Sequence, residues 1–170
     1  MIWNDKKIKS LRVGDTISLT GVVYTARDAA HKRMVQLLDE GEPLPFDVCG
    51  QAVYYAGPCP APPERVIGSI GPTTSGRMDS YAPRLIKEGL RVMIGKGNRS
   101  RAVVNAIYEH SGLYLGAVGG AGALLSFCIE RSEIVAFEDL GTEAVHKLVV
   151  REMPLVVAID SYGGNIFELR

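Results

Sequence analysis

From Thr16 to Tyr24 apolar and polar positions alternate in their first half within a β-branched run, the pattern of a half-buried strand. Past Arg27-Asp28 the period changes. Apolar residues between Ala29 and Leu38 recur at helical spacing, and Asp28 stands where an N-cap is needed. Turn residues from Gly41 to Pro45 end that helix. Ala52 to Gly57 reads as a short buried strand, and Pro58 to Pro63 as a stiff connection. A helix is predicted over 80–88, stopped by Gly89, then a strand over 91–94 that ends at Gly95-Lys96-Gly97-Asn98. Ser100 caps a further helix over 102–108. The apolar run from Leu113 to Ile129, broken by glycines and a serine, reads as buried strand and tight turns. Its last part, Leu124 to Ile129 around Cys128, looks like core. A strand follows over 133–137, and 143–150 fits either helix or strand. Leu155 to Asp160, a Ser161–Gly164 turn and Asn165 to Leu169 close the chain as a hairpin. Strands and helices interleave without a repeat or a long linker, which predicts one α/β domain over residues 1–170 with a mixed sheet flanked by helices.

Composition narrows what such a domain does. The 170 residues carry 19 Lys+Arg against 19 Asp+Glu, with 46% hydrophobic and 22% charged residues. A chain this size buries enough surface for a sizeable core. Balanced charge disfavours disorder and any nucleic-acid or membrane binding through a broad basic face. No run reaches the roughly 18 apolar residues of a membrane span, and the charged start Asp5-Lys6-Lys7 leads into no apolar segment of a secretory signal. Three cysteines, Cys49, Cys59 and Cys128, are odd in number and widely spaced, which argues for a reducing cytoplasm over a disulfide framework. Their spacing matches no iron–sulfur or zinc pattern, so packing is their ordinary role. The surplus is in glycine, with 19 residues, and its clustering matters more than its number.

The densest polar cluster is Gly71-Pro72-Thr73-Thr74-Ser75-Gly76-Arg77-Met78-Asp79, ahead of a predicted helix. Glycines let backbone amides approach an anion, hydroxyls add donors, and arginine binds a carboxylate with two parallel bonds. The residues suit an anion cradle, although a glycine-rich turn with a capping threonine has the same composition. Gly95-Lys96-Gly97 repeats the logic more weakly. It lacks the full phosphate-loop pattern, since Asn98 and Arg99 follow, and nucleotide binding is disfavoured. Arg27 and His31 lie four apart at a strand-to-helix junction, where open α/β folds bind ligands. The same Arg27 could instead pair with Asp28. Cations with hydroxyls suit a small dicarboxylate but supply no strong acid–base or electrophile, which suggests a site completed by another chain.

Together, Tyr24-Thr25-Ala26-Arg27-Asp28-Ala29-Ala30-His31-Lys32-Arg33, the segment Gly71–Asp79 and Ile94-Gly95-Lys96-Gly97-Asn98 resemble the β subunit, or C-terminal domain, of class I fumarases and L(+)-tartrate dehydratases. The likeness runs from about Leu11 to Asp160 and takes in Leu44–Asp47, Tyr54–Pro58 and Glu143–Val145. It implies a swivelling β/β/α domain. It also implies reversible hydration of fumarate to L-malate, or dehydration of tartrate to oxaloacetate, at a site shared with an α subunit in an α2β2 assembly. In that family the α subunit's cysteines hold a [4Fe–4S] cluster that acts as a Lewis acid on the departing hydroxyl. By the same resemblance Arg27, Arg77 and Lys96 match carboxylate-binding cations, with Thr74 and Gly76 also at the substrate. Thr73 matches the catalytic threonine, and Asp28, His31 and Asp79 are supporting residues; no metal ligand is expected on this chain. A rival of another class, a non-catalytic anion-binding or scaffolding domain, predicts that at least one of these cations or Thr73 is missing. All are present.

Overall fold

The computed structural model describes residues 2–117 and 122–169. Six strands form its sheet: β1 Thr16–Thr25, β2 Ala52–Tyr54, β3 Val92–Gly95, β4 Leu113–Gly116, β5 Ile129–Ala136 and β6 Val145–Ile159. Their order is β1-β2-β3-β4-β6-β5. Strands β1 to β4 run parallel to their neighbours, whereas β6 is antiparallel to β4, β5 and β1. Since β6 pairs with both β4 and β1, the strands close into a ring, with β5 added along the first half of β6.

The period-2 rule then separates two cores. One side of the ring buries Leu19, Val23, Ala52, Tyr54, Val92, Ile94, Leu113 and Leu115 together with Leu148, Val150, Met153, Leu155 and Val157. The alternate residues Tyr24, Val53, Met93 and Tyr114 face the helices α2 Asp28–Asp39, α3 Ala82–Lys87 and α4 Arg101–Glu109. Along β6 the inward positions switch from even numbers (148, 150) to odd (153, 155, 157). A register shift opposite Leu19–Gly21 makes that switch, with Glu152 at φ 50 and its N–H donating to Thr20 Oγ1 at 3.0 Å. The extra residue lets Leu148 and Val150 share one buried side with Met153, Leu155 and Val157.

The interleaved α/β pattern is as the sequence predicts, and its departures are local. Asp28 does not cap α2. It is the first helical residue, Arg27 takes the cap position without a side-chain bond, and Glu143 Oε1 accepts from the Ala29 N–H at 3.3 Å. The helix expected over 80–88 is shorter and follows a 3-10 turn at Ser75–Met78. Ser100 caps α4 as expected, accepting from the Val103 N–H. Of the ambiguous 143–150 segment, Glu143 ends a 3-10 turn and the rest from Val145 is strand, because it fills the gap between β1 and β5. The closing hairpin does not form: past Ile159 only the Ile159–Asn165 bridge is made, and a 3-10 turn covers Ile166–Glu168. Part of the glycine-rich run, 118–121, lies outside the described residues. After it comes the short helix α5 Gly122–Ser126, where Leu124 and the following Phe127 are exposed rather than core. Cys128 is half-buried against the core.

Strand β3 ends in Gly95 because a side chain there would overlap Ser75 Oγ and the Tyr55 ring. Both neighbours are fully buried, so neither yields freely. Gly95→Ala is expected to lower unfolding free energy by about 1–3 kcal/mol, as overpacking does, read from the urea midpoint. An unchanged midpoint would contradict this packing.

Candidate active site

Parallel strands deliver successive loops to one edge of a sheet, here the carboxyl ends of β1, β2 and β3. Three of those loops carry the segments singled out in the sequence. β1 runs into Arg27, the residues after β2 lead to Thr73, and β3 runs into Lys96.

The first loop is ordered by its own helix. Arg27 is extended at φ −113, and its carbonyl accepts from the His31 N–H at 2.9 Å and from His31 Nδ1 at 2.8 Å. His31 is fully buried, edge-on to Tyr55 with ring centroids 5.3 Å apart, so it sits behind Arg27 and not in an open site. Burial depresses its pKa to about 4, despite the opposing bond to the Arg27 carbonyl. At neutral pH the ring is therefore uncharged and Nδ1 carries the donated proton. The Arg27 side chain lies against Gly57, where a Cβ would press on its Cδ and on the Thr142 carbonyl.

Asp28 ties the two arginines together. Its Oδ1 accepts from Arg77 Nε at 2.9 Å, and its Oδ2 lies 3.8 Å from Arg27 Nη2. Holding Arg77 by Nε leaves the outward edge of its guanidinium for another anion. Arg77 is half-exposed, so the pair itself stabilises the fold by less than about 1 kcal/mol and serves to orient.

The second and third loops are joined through backbone. Thr73 N–H donates to the Tyr55 carbonyl at 2.8 Å, Thr74 and Lys96 form a parallel bridge, and Ser75 N–H donates to the Lys96 carbonyl at 2.9 Å. Gly97 follows at φ 85, a left-handed turn that suits glycine. The Lys96 side chain is exposed and makes no hydrogen bond or ion pair with any described residue. The Thr73 hydroxyl likewise has no described partner. Thr74, Gly76 and Arg77 are exposed on the same turn.

Asp79 points away from this edge. Its two oxygens accept from Arg99 Nε at 2.7 Å and from the Ser100 N–H at 2.6 Å. The Arg99 side chain is wholly buried, with Nη2 donating to Tyr55 Oη at 3.1 Å. Burial opposes its charge, but Tyr55, Asp79 and Tyr114 together raise its pKa above the usual guanidinium range. Tyr114 Oη meets Ser75 Oγ at 2.8 Å and donates to the Gly97 carbonyl at 2.7 Å. Sequence reasoning gives no site role to Arg99, Tyr55, Tyr114 or Glu143, and takes Ser75 only as one hydroxyl of the anion cradle. The one available signal was an arginine placed directly after Gly-Lys-Gly-Asn. The tyrosines read only as apolar strand residues.

The Fumarase C-terminus family model matches residues 3–169. The chain is 41% identical over 158 residues to the anaerobic class I fumarate hydratase of Escherichia coli, covering 92% of this chain and 29% of that protein. It is 42% identical over 154 residues to the mitochondrial fumarate hydratase 1 of Leishmania major, covering 89% and 28%. A Methanocaldococcus jannaschii protein, provisionally named L(+)-tartrate dehydratase subunit beta, is 40% identical over 169 residues, 96% of this chain and 87% of its own length. A chain whose parallel-strand edge presents two bridged arginines and an unpaired lysine thus belongs to the fumarase C-terminal family. It spans under a third of the length of the fumarate hydratases it matches.

The buried His31 makes stability fall with pH. Its unfolded pKa near 6.5 exceeds the folded value of about 4, so the unfolded state binds the proton first as pH drops. Stability from this group is complete above pH 6.5 and is lost as pH falls toward 4. Between pH 7 and 4.5 the loss is roughly 2–3 kcal/mol. His31→Gln should lose that much less than the wild type over the same interval, measured by urea unfolding at both pH values. Equal losses would contradict a neutral buried imidazole.

Proposed function

We propose that this chain folds as one domain and is the β-type component of a class I fumarate hydratase, catalysing reversible hydration of fumarate to L-malate with a partner α subunit. The observation that carries the reading is a charge imbalance. Arg27 and Arg77 share the Asp28 carboxylate, and Lys96 pairs with no described carboxylate, so positive charge is left over at this edge. A dicarboxylate supplies two negative charges to offset that surplus. In this reading Arg27, Arg77 and Lys96 hold the carboxylates, while the Thr74 and Gly76 segment closes around one of them. Holding both ends fixes the substrate, and the cations stabilise the negative charge that builds when a proton leaves the adjacent carbon.

Thr73 is the group nearest in role to a base. A neutral hydroxyl is a weak one and needs a neighbour to take its proton. No described residue hydrogen-bonds its hydroxyl, so the reading places that neighbour on the partner. The same holds for the [4Fe–4S] cluster of the family. Among the described residues no three His, Cys, Asp or Glu side chains come together to hold a metal ion; Cys49 and Cys59 are exposed and Cys128 is half-buried. These residues do not fit a cluster, and the reading assigns it to the α subunit. The cytoplasm is the compartment such a heteromer implies, and no helix among the described residues is long and apolar enough to cross a membrane.

A second reading is the β subunit of an L(+)-tartrate dehydratase, the name carried by the 40% identical Methanocaldococcus jannaschii relative. The two substrates differ by one hydroxyl, which is discriminated only by a polar group that pairs with it. Steady-state assays of the anaerobic complex on fumarate, malate and tartrate decide between them.

In the reconstituted complex, Arg77→Ala should lower kcat/KM for fumarate and malate at least about 100-fold, equivalent to about 3 kcal/mol for a lost charge-assisted pair. Unchanged kcat/KM would remove Arg77 from the site. The isolated chain should show no hydratase activity and no brown cluster absorbance after anaerobic reconstitution with iron and sulfide. A stable [4Fe–4S] spectrum on this chain alone would overturn the division of labour.

A further inference from the structure

Beneath the exposed cations lies a buried one that no substrate reaches. Arg99 has no side-chain exposure, yet it follows the Gly95–Asn98 turn directly and touches both of the other elements that shape the site. Through Nε it binds Asp79, just past the Ser75–Met78 turn that carries Arg77. Through Nη2 it binds Tyr55, whose carbonyl receives the Thr73 N–H. Its guanidinium stacks over the Tyr55 and Tyr114 rings at 5.1 and 4.8 Å, and Tyr114 in turn joins Ser75 Oγ to the Gly97 carbonyl. Asp79 completes the circuit by accepting from the Ser100 N–H at the start of α4.

We propose that Arg99 is a positioning residue: with Asp79, Tyr55 and Tyr114 it locks the Thr73–Arg77 loop to the Lys96–Gly97 loop, setting the separation at which their groups meet a dicarboxylate. The role in substrate binding rests on the functional reading above; the locking of the two loops does not. The geometry explains why a planar, multi-donor cation is needed. Three neighbours lie in different directions around it, and an ammonium on a flexible stem cannot satisfy Asp79 and Tyr55 while stacking on two rings. The surrounding backbone contacts, the Thr74–Lys96 bridge and the Ser75 N–H bond to Lys96, are those that would loosen first without it.

The test uses Arg99→Met, Arg99→Lys and Tyr114→Phe in the complex with the α subunit, with Lys96→Ala as a control, below the unfolding temperature of each variant. Amide hydrogen exchange at Ser75 and Ser100 should quicken at least about tenfold in Arg99→Met, with β4 amides unchanged. KM for fumarate should rise at least about tenfold, and Arg99→Lys should recover part of the loss. If Arg99→Met does not fold, Tyr114→Phe, which keeps the ring and loses the bond to Gly97, should show the same pattern to a lesser degree. A lowered Tm with unchanged exchange at Ser75 and unchanged KM would overturn the proposal and make Arg99 a core residue only. If Lys96→Ala leaves KM and kcat unaltered, the functional reading fails, and the exchange data still decide whether Arg99 couples the loops.

Discussion

Everything in this molecule leans on the pairing of β1 with β6. β1 alone could add to β2 only at Tyr24 and Thr25, a contact too short to hold a ten-residue strand. Its remaining length is paired entirely by β6, from Thr16 opposite Val156 to Tyr24 opposite Lys147. That long antiparallel seam turns an open parallel sheet into a ring and gives the buried side a continuous apolar lining. A slip of one residue would turn each inward side chain outward, and the shift at Glu152 absorbs the single extra residue that the two strands cannot share.

The ring fixes where chemistry can occur. Four parallel strands end at the same edge, so residues far apart in the chain arrive there together without any one element being long. Charge is arranged in two tiers at that edge. The upper tier has exposed Arg77 and Lys96 beside a half-buried Arg27 and is left with surplus positive charge. The lower tier is buried and balanced, with Arg99 matched to Asp79, donating to Tyr55 Oη and Met93 Sδ, and stacked over the Tyr55 and Tyr114 rings. Breaking a buried pair typically costs about 3–5 kcal/mol, so the lower tier is much stiffer than the exposed Arg77–Asp28 contact above it.

The α/β pattern was legible in the chain because alternation at β1 and helical spacing at α2 and α4 report which face is buried. Ser100 was legible as a cap for the same reason: its bond is local. What escaped were the long-range partners. Asp28 looks like an N-cap from its neighbours, but an arginine forty-nine residues on takes its carboxylate and Glu143 satisfies the helix instead. Asn165 to Leu169 looks like a returning strand, yet β4 and β1 already occupy both sides of the second half of β6. The exposed cations and Thr73 could be singled out from motif and resemblance. Arg99 could not, since nothing in its own segment announces that Asp79, Tyr55 and Tyr114 converge on it.

The bond from Ala29 N–H to Glu143 spans 114 residues of chain. During synthesis, α2 and the loop holding Arg27 therefore emerge long before the residue that satisfies the helix terminus, and β1 emerges long before β6. Contacts of such separation close slowly, because loop entropy must be overcome before any of them is rewarded. The nascent chain consequently carries an unpaired strand edge until Val145–Ile159 leaves the ribosome, the condition in which chains associate wrongly. The edge that carries Arg27, Arg77 and Lys96 is thus among the last parts of the molecule to form, and a chain cut short before Val145 holds all three cations without the strand that puts them in place.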